Sequence, residues 1–465
     1  MSDKPVRGLL TRKELGALIE RGEVETVLAV FPDMYGRLMG KRIMAPYFLE
    51  QVAAEGMHAC DYLLACDMEM DVIPGYKYTS WETGYGDFHC VPDLTTLRRA
   101  AWLPKSAIVL CDLLDQHDRP VEVSPRRMLQ RQLQRAREAG FTAMGGTEIE
   151  LYLFDDTFAE ARAKSYHGLR PMGTYNEDYH ILQGTKEEEL VGAIRRGLDA
   201  SGVPIEFSKG EAGLGQQEIN LRFSEVLAQA DRNALYKHAA KEIAWMQGKA
   251  VTFMAKWDEK HTGSSAHIHL SLWDPHHNSA FQGDHPISPS LEKITGSDTF
   301  RWFLGGWIQH ARALTACYAP YVASYKRFQS RSWAPTAIAW SYDNRTAGFR
   351  VVGHGVSLRA ECRIPGADAN PYIAYAAALA AGLDGIENKI EPPAIFQGDL
   401  YAAQELPRVP GTLREAIDEF ANSALAGEAF GEDVKEHYLH FLRTEQRKFD
   451  EVVTCWERAR YFERA

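Results

Sequence analysis

The chain of 465 residues has no Cys-x-x-Cys pair, and its seven cysteines, an odd count, are scattered. That excludes a disulfide scaffold and suits a reduced, cytoplasmic protein. Met1 is followed by SDKPVRG rather than an apolar run, so no signal peptide is expected. The longest apolar run, IAYAAALAAGL from Ile373, is too short to span a bilayer. Its alanines suit a helix packed closely inside the protein. The Walker A pattern is missing, and no GxGxxG opens a helix; GEAGLGQQE from Gly210 precedes a strand and is weak evidence for phosphate binding. There is no internal repeat and no low-complexity segment. A net charge of -11 argues against a nucleic-acid or anionic-membrane partner. What remains is a soluble enzyme of ordinary composition, long enough for two or three domains around a large core.

Local signals divide the chain. Thr11 and Glu14 form a capping box for a helix closed by Gly22. VETVLAVF and RLMGKRIMA read as strands joined by a turn containing Pro32 and Asp33, and the stretch to about Ala101 reads as loop-rich. Residues 1–115 are expected to form a small α+β domain and 116–465 the catalytic domain. Ser124 and Pro125 start a helix that ends at Gly140, and Asn370 with Pro371 starts the alanine-rich one. Further helices are expected in LVGAIRRGLDASG and ADRNALYKHAAKEIAWMQGK. Thr412 with Glu415 supplies another capping box, the stretch from Gln397 to Pro410 a surface excursion, and Glu432 to Arg460 a final helical region.

Four segments carry polar or ionisable residues at every second position. Glu148, Glu150 and Tyr152 alternate with Ile149, Leu151 and Leu153. Glu218, Asn220 and Arg222 alternate with Ile219, Leu221 and Phe223. His267, His269 and Ser271 alternate with Ile268, Leu270 and Leu272; Arg359, Glu361 and Arg363 alternate with Ala360, Cys362 and Ile364. Strand side chains alternate between faces, so each segment offers one apolar and one polar face. A single ExE or HxH strand is more often structural. Four faces of the same polarity argue for a shared cavity. Glu148, Glu150, Glu211, Glu218 and Glu361 cannot all ionise in one cavity without cations. Oxygen-rich ligands with one imidazole suit Mg²⁺ or Mn²⁺ better than Zn²⁺. Arg327, Arg345, Arg350, Arg359 and Arg363 add partners for phosphate and carboxylate, and the combination is equipment for phosphoryl transfer.

In this order GTEIELYLFD, IEFSKGEAGLGQQEIN, TFMAKW, TGSSAHIHLSL, SYKRF, DNRTAGFR, LRAECRIPGADANPY and AALAAGLDGIENKI resemble the glutamine synthetase superfamily, of the bacterial type I kind. The resemblance implies a β-grasp N-terminal domain and a catalytic domain with a curved antiparallel sheet flanked by helices, an α+β fold. It implies one metal at Glu150, Glu211 and Glu218, and a second at Glu148, His267 and Glu361. Glu206, His269, Ser271, Arg350 and Arg359 match nucleotide-binding positions, and Gly263 and Arg327 match positions that grip glutamate. Arg345 and Arg363 match those that steady the transferred phosphoryl group. The implied assembly is a homo-dodecamer of two hexameric rings, with a loop near Asp87 reaching a neighbour's site.

The pattern breaks at one place. Glutamine synthetases read G-[FY]-E-A-P where this chain reads Ser332, Trp333, Ala334, Pro335. The glutamate replaced by Trp333 is the one that accepts a proton from ammonium. Thr262 stands where Asn is usual, and the ammonium-site aspartate has only Asp61 as a counterpart. A complete metal site beside a remodelled ammonium site implies an ATP-dependent ligase joining the γ-carboxylate of glutamate to an organic primary amine. The alternatives are a glutamine synthetase using ammonium and a non-catalytic structural or regulatory homologue. Tyr401 lies where some type I enzymes are adenylylated and reads as an ordinary exposed tyrosine.

Overall fold

The computed structural model describes residues 6–329 and 332–465. After a helix at Arg12–Glu20, opened by the complete Thr11–Glu14 capping box, a first sheet forms. Its strands are β1 (Thr26–Pro32), β2 (Leu38–Met44), β3 (Met57–Cys60), β4 (Asp87–Pro92), β5 (Arg98–Arg99) and β6 (Ser106–Leu114). Their order is β2-β1-β6-β4-β3, with β5 also on β6. β1 and β6 run parallel and the other pairs antiparallel, an arrangement consistent with a β-grasp unit. The turn between β1 and β2 is fixed by Asp33, whose carboxylate accepts from the backbone N–H groups of Tyr35 and Arg37. β3 and β4 lie in the stretch expected to be loop-rich; they are short and separated by a long excursion, so no alternation announced them.

The second sheet carries the site. It contains β7 (Thr142–Phe154), β8 (Ile205–Gly210), β9 (Gln216–Leu221), β10 (Ser224–Glu225), β11 (Ala250–Thr252) and β12 (Ala266–Trp273). A separate hairpin of β13 (His285–Pro286) and β14 (Thr295–Gly296) follows, and then β15 (Trp340–Tyr342), β16 (Phe349–Val352) and β17 (Arg359–Cys362) return to the sheet. The order is β15-β16-β17-β12-β7-β9-β8, with β10 and β11 also on β7. Among the described residues of this sheet, only β15 and β16 pair in parallel. All four alternating segments therefore lie in one sheet. Their apolar sides behave as the alternation requires: Ile149, Leu151, Leu153 and Ile219 pack with Leu190, Ile194, Leu235 and Ile243 of the helices Ile181–Asp199 and Val226–Met246. The alternation fails at Phe223, because β9 ends at Leu221 and the phenyl ring is half exposed.

The alanine-rich helix Pro371–Glu387 is capped by Asn370 and buried along nearly its whole length. It packs on the helix Asp298–His310 through glycines. A Cβ at Gly306 would lie 2.3 Å from the carbonyl oxygen of Ala381 and 2.4 Å from the Cα of Gly385. The two sheets share one apolar core, which runs from Leu15 to Leu442. A buried guanidinium also ties them. Arg126, on the helix Pro125–Glu138, grips Asp231 at 3.0 and 3.1 Å, Asp112 of β6 at 2.5 Å and Asp93 at 2.8 Å.

Of two C-terminal expectations, the helical region from about Glu432 to Arg460 holds and the capping box at Thr412 needs correction. The last helical region is two helices, Glu432–Asp450 and Cys455–Tyr461, because Thr454 caps the second one anew. At Thr412 only half the box forms: its hydroxyl accepts from the Glu415 N–H, while the Glu415 carboxylate turns to the Gly411 N–H. No helix among the described residues is long and apolar enough to cross a membrane.

Candidate active site

Register assembles the polar face. His267 of β12 stands opposite Glu148 of β7, and Glu150 opposite Glu218 of β9. His269 stands opposite Glu361 of β17, and Glu361 opposite Arg350 of β16. Lys209 of β8 faces Glu218 from the other side. Alternate residues of adjacent strands thus project to one polar face, and a cavity of about 260 Å³ on it is lined by Glu148, Glu150, Glu211 and Glu218 and by Arg327, Arg345, Arg350 and Arg363.

Among the described residues this polar face carries two acidic groups. Ligand atoms of Glu150, Glu211 and Glu218 lie within 4.8 Å of one another, and so do those of Glu148, His269 and Glu361. The second set differs from expectation in its imidazole. His269 Nε2 lies 3.1 Å from Glu148, while His267 Nδ1 lies 3.2 Å from the other Glu148 oxygen and 3.6 Å from Glu361. Both imidazoles border the pair, and the Nε2 of His267 is buried with no partner among the described residues.

The first set is short of positive charge. Burial, and then the Glu211 carboxylate, push Glu150 up to about 8. Burial followed by Glu148, Glu211 and Glu150 holds Glu218 well above the usual carboxylate range. In the second set burial also opposes ionisation, but His267 and His269 outweigh it at Glu148, and His269 and Arg363 bring Glu361 down to about 2. Burial and then Arg363 lower His267 to about 4, so it is neutral and able to offer a lone pair. Crowded carboxylates, a neutral imidazole and an unpartnered buried nitrogen fit divalent cations with oxygen-rich ligands.

The arginines are held differently. Arg363 donates to Glu361 at 2.6 Å, and Arg350 takes the other Glu361 oxygen at 3.0 Å and Asp343 at 2.6 Å. Arg350 therefore lines the carboxylate cavity rather than a separate nucleotide cleft. Arg327 is buried and donates to the carbonyls of Arg363, Ile364 and Pro365. The Nε atoms of all three are buried without partners among the described residues, leaving donors for an anion. Gly263 lies against Arg327: a Cβ there would come within 2.5 Å of its side chain. Arg345 is exposed at the mouth.

A second cleft of about 430 Å³ opens on the other side of Glu148. Glu206, His269, Ser271 and Arg359 line it with Met144 and Phe223. Four of the five expected nucleotide-binding residues are thus together, and Phe223 supplies an apolar surface that the sequence reading had assigned to the core. Asp61 and Asp87 do not reach either space within their own chain. Asp61 accepts from Thr79 at 2.6 Å, and Asp87 is exposed at the start of β4. Tyr401 is not an exposed tyrosine: its hydroxyl is buried, and burial pushes the phenol up to about 12 against the pull of Arg363 and Arg327.

The rim of the carboxylate cavity joins Trp333, expected at the acceptor site, to two residues not anticipated, Tyr179 and Phe207. Tyr179, Phe207 and Trp333 are 67%, 51% and 59% exposed, and all three line it. Tyr179 and Trp333 adopt left-handed backbone conformations, φ 57° and 61°, which cost bulky residues about 1–3 kcal/mol and cluster at functional sites. Phe207, Lys209 and Glu211 occupy alternate positions, a pattern that could have been read from the sequence. Tyr179 lies in a loop and carried no such signal. A larger cavity, about 830 Å³, lies between Gly75–Tyr78 and the helix Glu432–Asp450. Its rim charges include the internal pairs Lys77–Glu436 and Arg119–Asp115.

The model of the glutamine synthetase catalytic domain matches residues 122–461. A γ-glutamylethanolamide synthetase, GlnA4 of Streptomyces coelicolor, is 46% identical over 452 residues, 97% of this chain and 96% of that protein. A glutamate–isopropylamine ligase of Pseudomonas sp. is 34% identical over 448 residues, 96% of each. The solved structure of GmaS without ligand superposes with a TM-score of 0.84 at 27% identity, covering 97% of this chain and all of that one.

Proposed function

The chain belongs to the glutamine synthetase family, and from that membership we propose that it is an ATP-dependent ligase joining the γ-carboxylate of L-glutamate to a small organic primary amine through a γ-glutamyl phosphate. The observation that carries this reading is the aromatic rim on an intact cavity. Trp333 stands where the family's proton-accepting glutamate is expected, and the cavity beside it is lined by Glu148, Glu150, Glu211, Glu218, His267 and four arginines, which supports the reading. Relatives whose names specify ethanolamide and isopropylamine products support a small amine as acceptor.

Glu150, Glu211 and Glu218 would hold one Mg²⁺ or Mn²⁺, and Glu148 and Glu361 with His267 or His269 the other. Divalent ions bound there supply positive charge to the phosphate oxygens during transfer. The residues do the rest. Glu206, Ser271 and Arg359 receive the nucleotide beside Phe223. Arg327 and Gly263 grip glutamate so that its γ-carboxylate oxygen faces the γ-phosphorus, and the new bond forms as that to the ADP oxygen breaks. Arg345 and Arg363 offset charge on the moving phosphoryl group. The amine nitrogen then attacks the acyl carbon, the bond from that carbon to the phosphate oxygen breaks, and the departing phosphate takes up the proton the nitrogen loses. Tyr179, Phe207 and Trp333 keep water from the acyl phosphate, which would otherwise hydrolyse.

The domain boundary is proposed at 115/116: β6 ends at Leu114 and the family match begins at 122. A cytoplasmic dodecamer of two hexameric rings is proposed as well. The exposed position of Asp87, outside its own chain's cavity, supports a contribution to a neighbour's site.

The test is phosphate release from ATP with Mg²⁺ and glutamate, with ammonium and a panel of amines at equal free-base concentration. Preference for an amine, with the γ-glutamyl amide identified by mass, is expected. Preference for ammonium would return the chain to the glutamine synthetases proper.

A further inference from the structure

The rim contains a cation site that is already filled. The Nζ of Lys209 lies 4.4 Å from the centre of the Tyr179 ring, 3.3 Å from the Asp178 carboxylate and in contact with Glu211. It also approaches the carbonyl of Gly210 at 3.4 Å. An aromatic face with two carboxylates is the arrangement that recognises an ammonium group. Here the ammonium is tethered to β8, and the Lys209 side chain is only 16% exposed. Tyr179 and Asp178 are not among the residues assigned to the metals, so half of this cage belongs to the rim itself.

The phosphates of ATP and the carboxylates of glutamate are answered by the arginine wall and by the cations that the acidic groups would hold. The nucleobase has its own apolar surface at Phe223 in the second cleft, which leaves the three exposed aromatics of the carboxylate rim to the acceptor. We propose that Lys209 sets the class of that acceptor: the site takes monoamines with an uncharged tail and rejects diamines and polyamines, because the place a distal ammonium would occupy is held by the lysine. This rests on the amine-ligase reading above. Tyr179, Phe207 and Trp333 give an apolar or hydroxylated tail contact area, whereas a second ammonium meets Lys209 at close range with its counter-charges engaged. Like-charge juxtaposition of this kind is a strong means of discrimination.

n-Butylamine and singly protonated 1,3-diaminopropane have nearly the same shape and differ in a terminal methyl against an ammonium. Their kcat and KM should be measured at equal concentrations of free reacting amine with the wild type, Lys209→Met and Lys209→Arg. The wild type is expected to favour n-butylamine by at least about tenfold in kcat/KM. Lys209→Met should shift the ratio toward the diamine by a similar factor, mostly through the KM of the diamine, and Lys209→Arg should keep the wild-type preference. Added salt should narrow the gap in the wild type by screening the repulsion, a reading that stands even if Lys209→Met is inactive. Equal use of the two amines by the wild type overturns the assignment. So does an unchanged ratio in an active Lys209→Met, which would leave Lys209 as no more than a support for Glu211, and so does a gap insensitive to salt. Turnover of neither amine by the wild type overturns the ligase reading, and this inference with it.

Discussion

Glu148 and His267 stand opposite each other in the β7–β12 ladder, and their side chains meet at 3.2 Å. One register step along β7, Glu150 faces Glu218 instead of an imidazole. The same sheet geometry therefore makes one hydrogen-bonded pair and one repulsive pair. Glu150 and Glu218 are held toward their protonated forms, and the protein bears that cost until a cation arrives.

Removing one member of the repulsive pair should separate stability from activity. Glu218→Gln is expected to melt no lower than the wild type when divalent ions are chelated, because one buried like-charge neighbour is gone. Mg²⁺ should raise the wild-type melting temperature and leave that of the variant nearly unchanged, and ligase activity should fall by at least about a hundredfold. Calorimetry with and without EDTA measures the first two. An equal Mg²⁺ response in both proteins would contradict the assignment of Glu218.

Trp333 replaces a proton acceptor. Trp333→Glu should raise the ratio of ammonium to amine turnover by at least about tenfold, since a positioned general base contributes about 10²–10⁴. Competition between ammonium and ethylamine, read as the two products by mass, gives that ratio directly. An unchanged ratio would mean that the acceptor does not pass beside this residue.

His437 is buried with its Nε2 2.9 Å from the carbonyl of Leu64, so that nitrogen carries the proton and the ring is neutral. Burial lowers its pKa from 6.5 to about 4. Between these values the unfolded chain takes up a proton that the folded protein refuses. The contribution is complete above pH 6.5 and is lost as the pH falls toward 4, in total about 3 kcal/mol. His437→Gln keeps a donor for Leu64 and cannot titrate. Its melting temperature should fall less steeply than that of the wild type between pH 7 and 5; parallel curves would refute this.

Two glycines should respond to alanine in opposite ways. Gly16 lies in the helix Arg12–Glu20, and a Cβ there would meet only a Leu49 methyl at 3.6 Å. Gly16→Ala should stabilise by up to about 1 kcal/mol through helix propensity. Gly306→Ala gains the same propensity but drives its Cβ into the backbone of the Pro371–Glu387 helix. The overpacking cost of about 1–3 kcal/mol should win, with net destabilisation. Urea unfolding of both variants measures the two signs.

Much of this was legible in the sequence where periodicity is strict. Ile149, Leu151 and Ile219 are in the core because their neighbours Glu148, Glu150 and Glu218 had to face a cavity. Thr11, Asn370 and Pro125 marked helix starts, because capping depends on a few adjacent residues. Phe223 was misread because alternation says nothing about where a strand stops. The distinction between His267 and His269 was equally hidden, since both project to the same face and only the positions of Glu148 and Glu361 separate their surroundings. Tyr179 and the buried hydroxyl of Tyr401 come from loops whose paths are set by long-range contacts, which one-dimensional spacing does not encode.

Arg126 limits how freely this architecture can be reshuffled. Its guanidinium takes Asp231 from the helix Val226–Met246, while Asp93 and Asp112 come from the stretch before 115. A chimera that imports its first 115 residues from a relative inherits working chemistry only if the donor brings acids to those two positions. Otherwise a buried cation keeps one counter-ion of three, and uncompensated buried charge costs about 3–5 kcal/mol. The seam between the sheets thus acts as a compatibility test, met by inheriting both halves together.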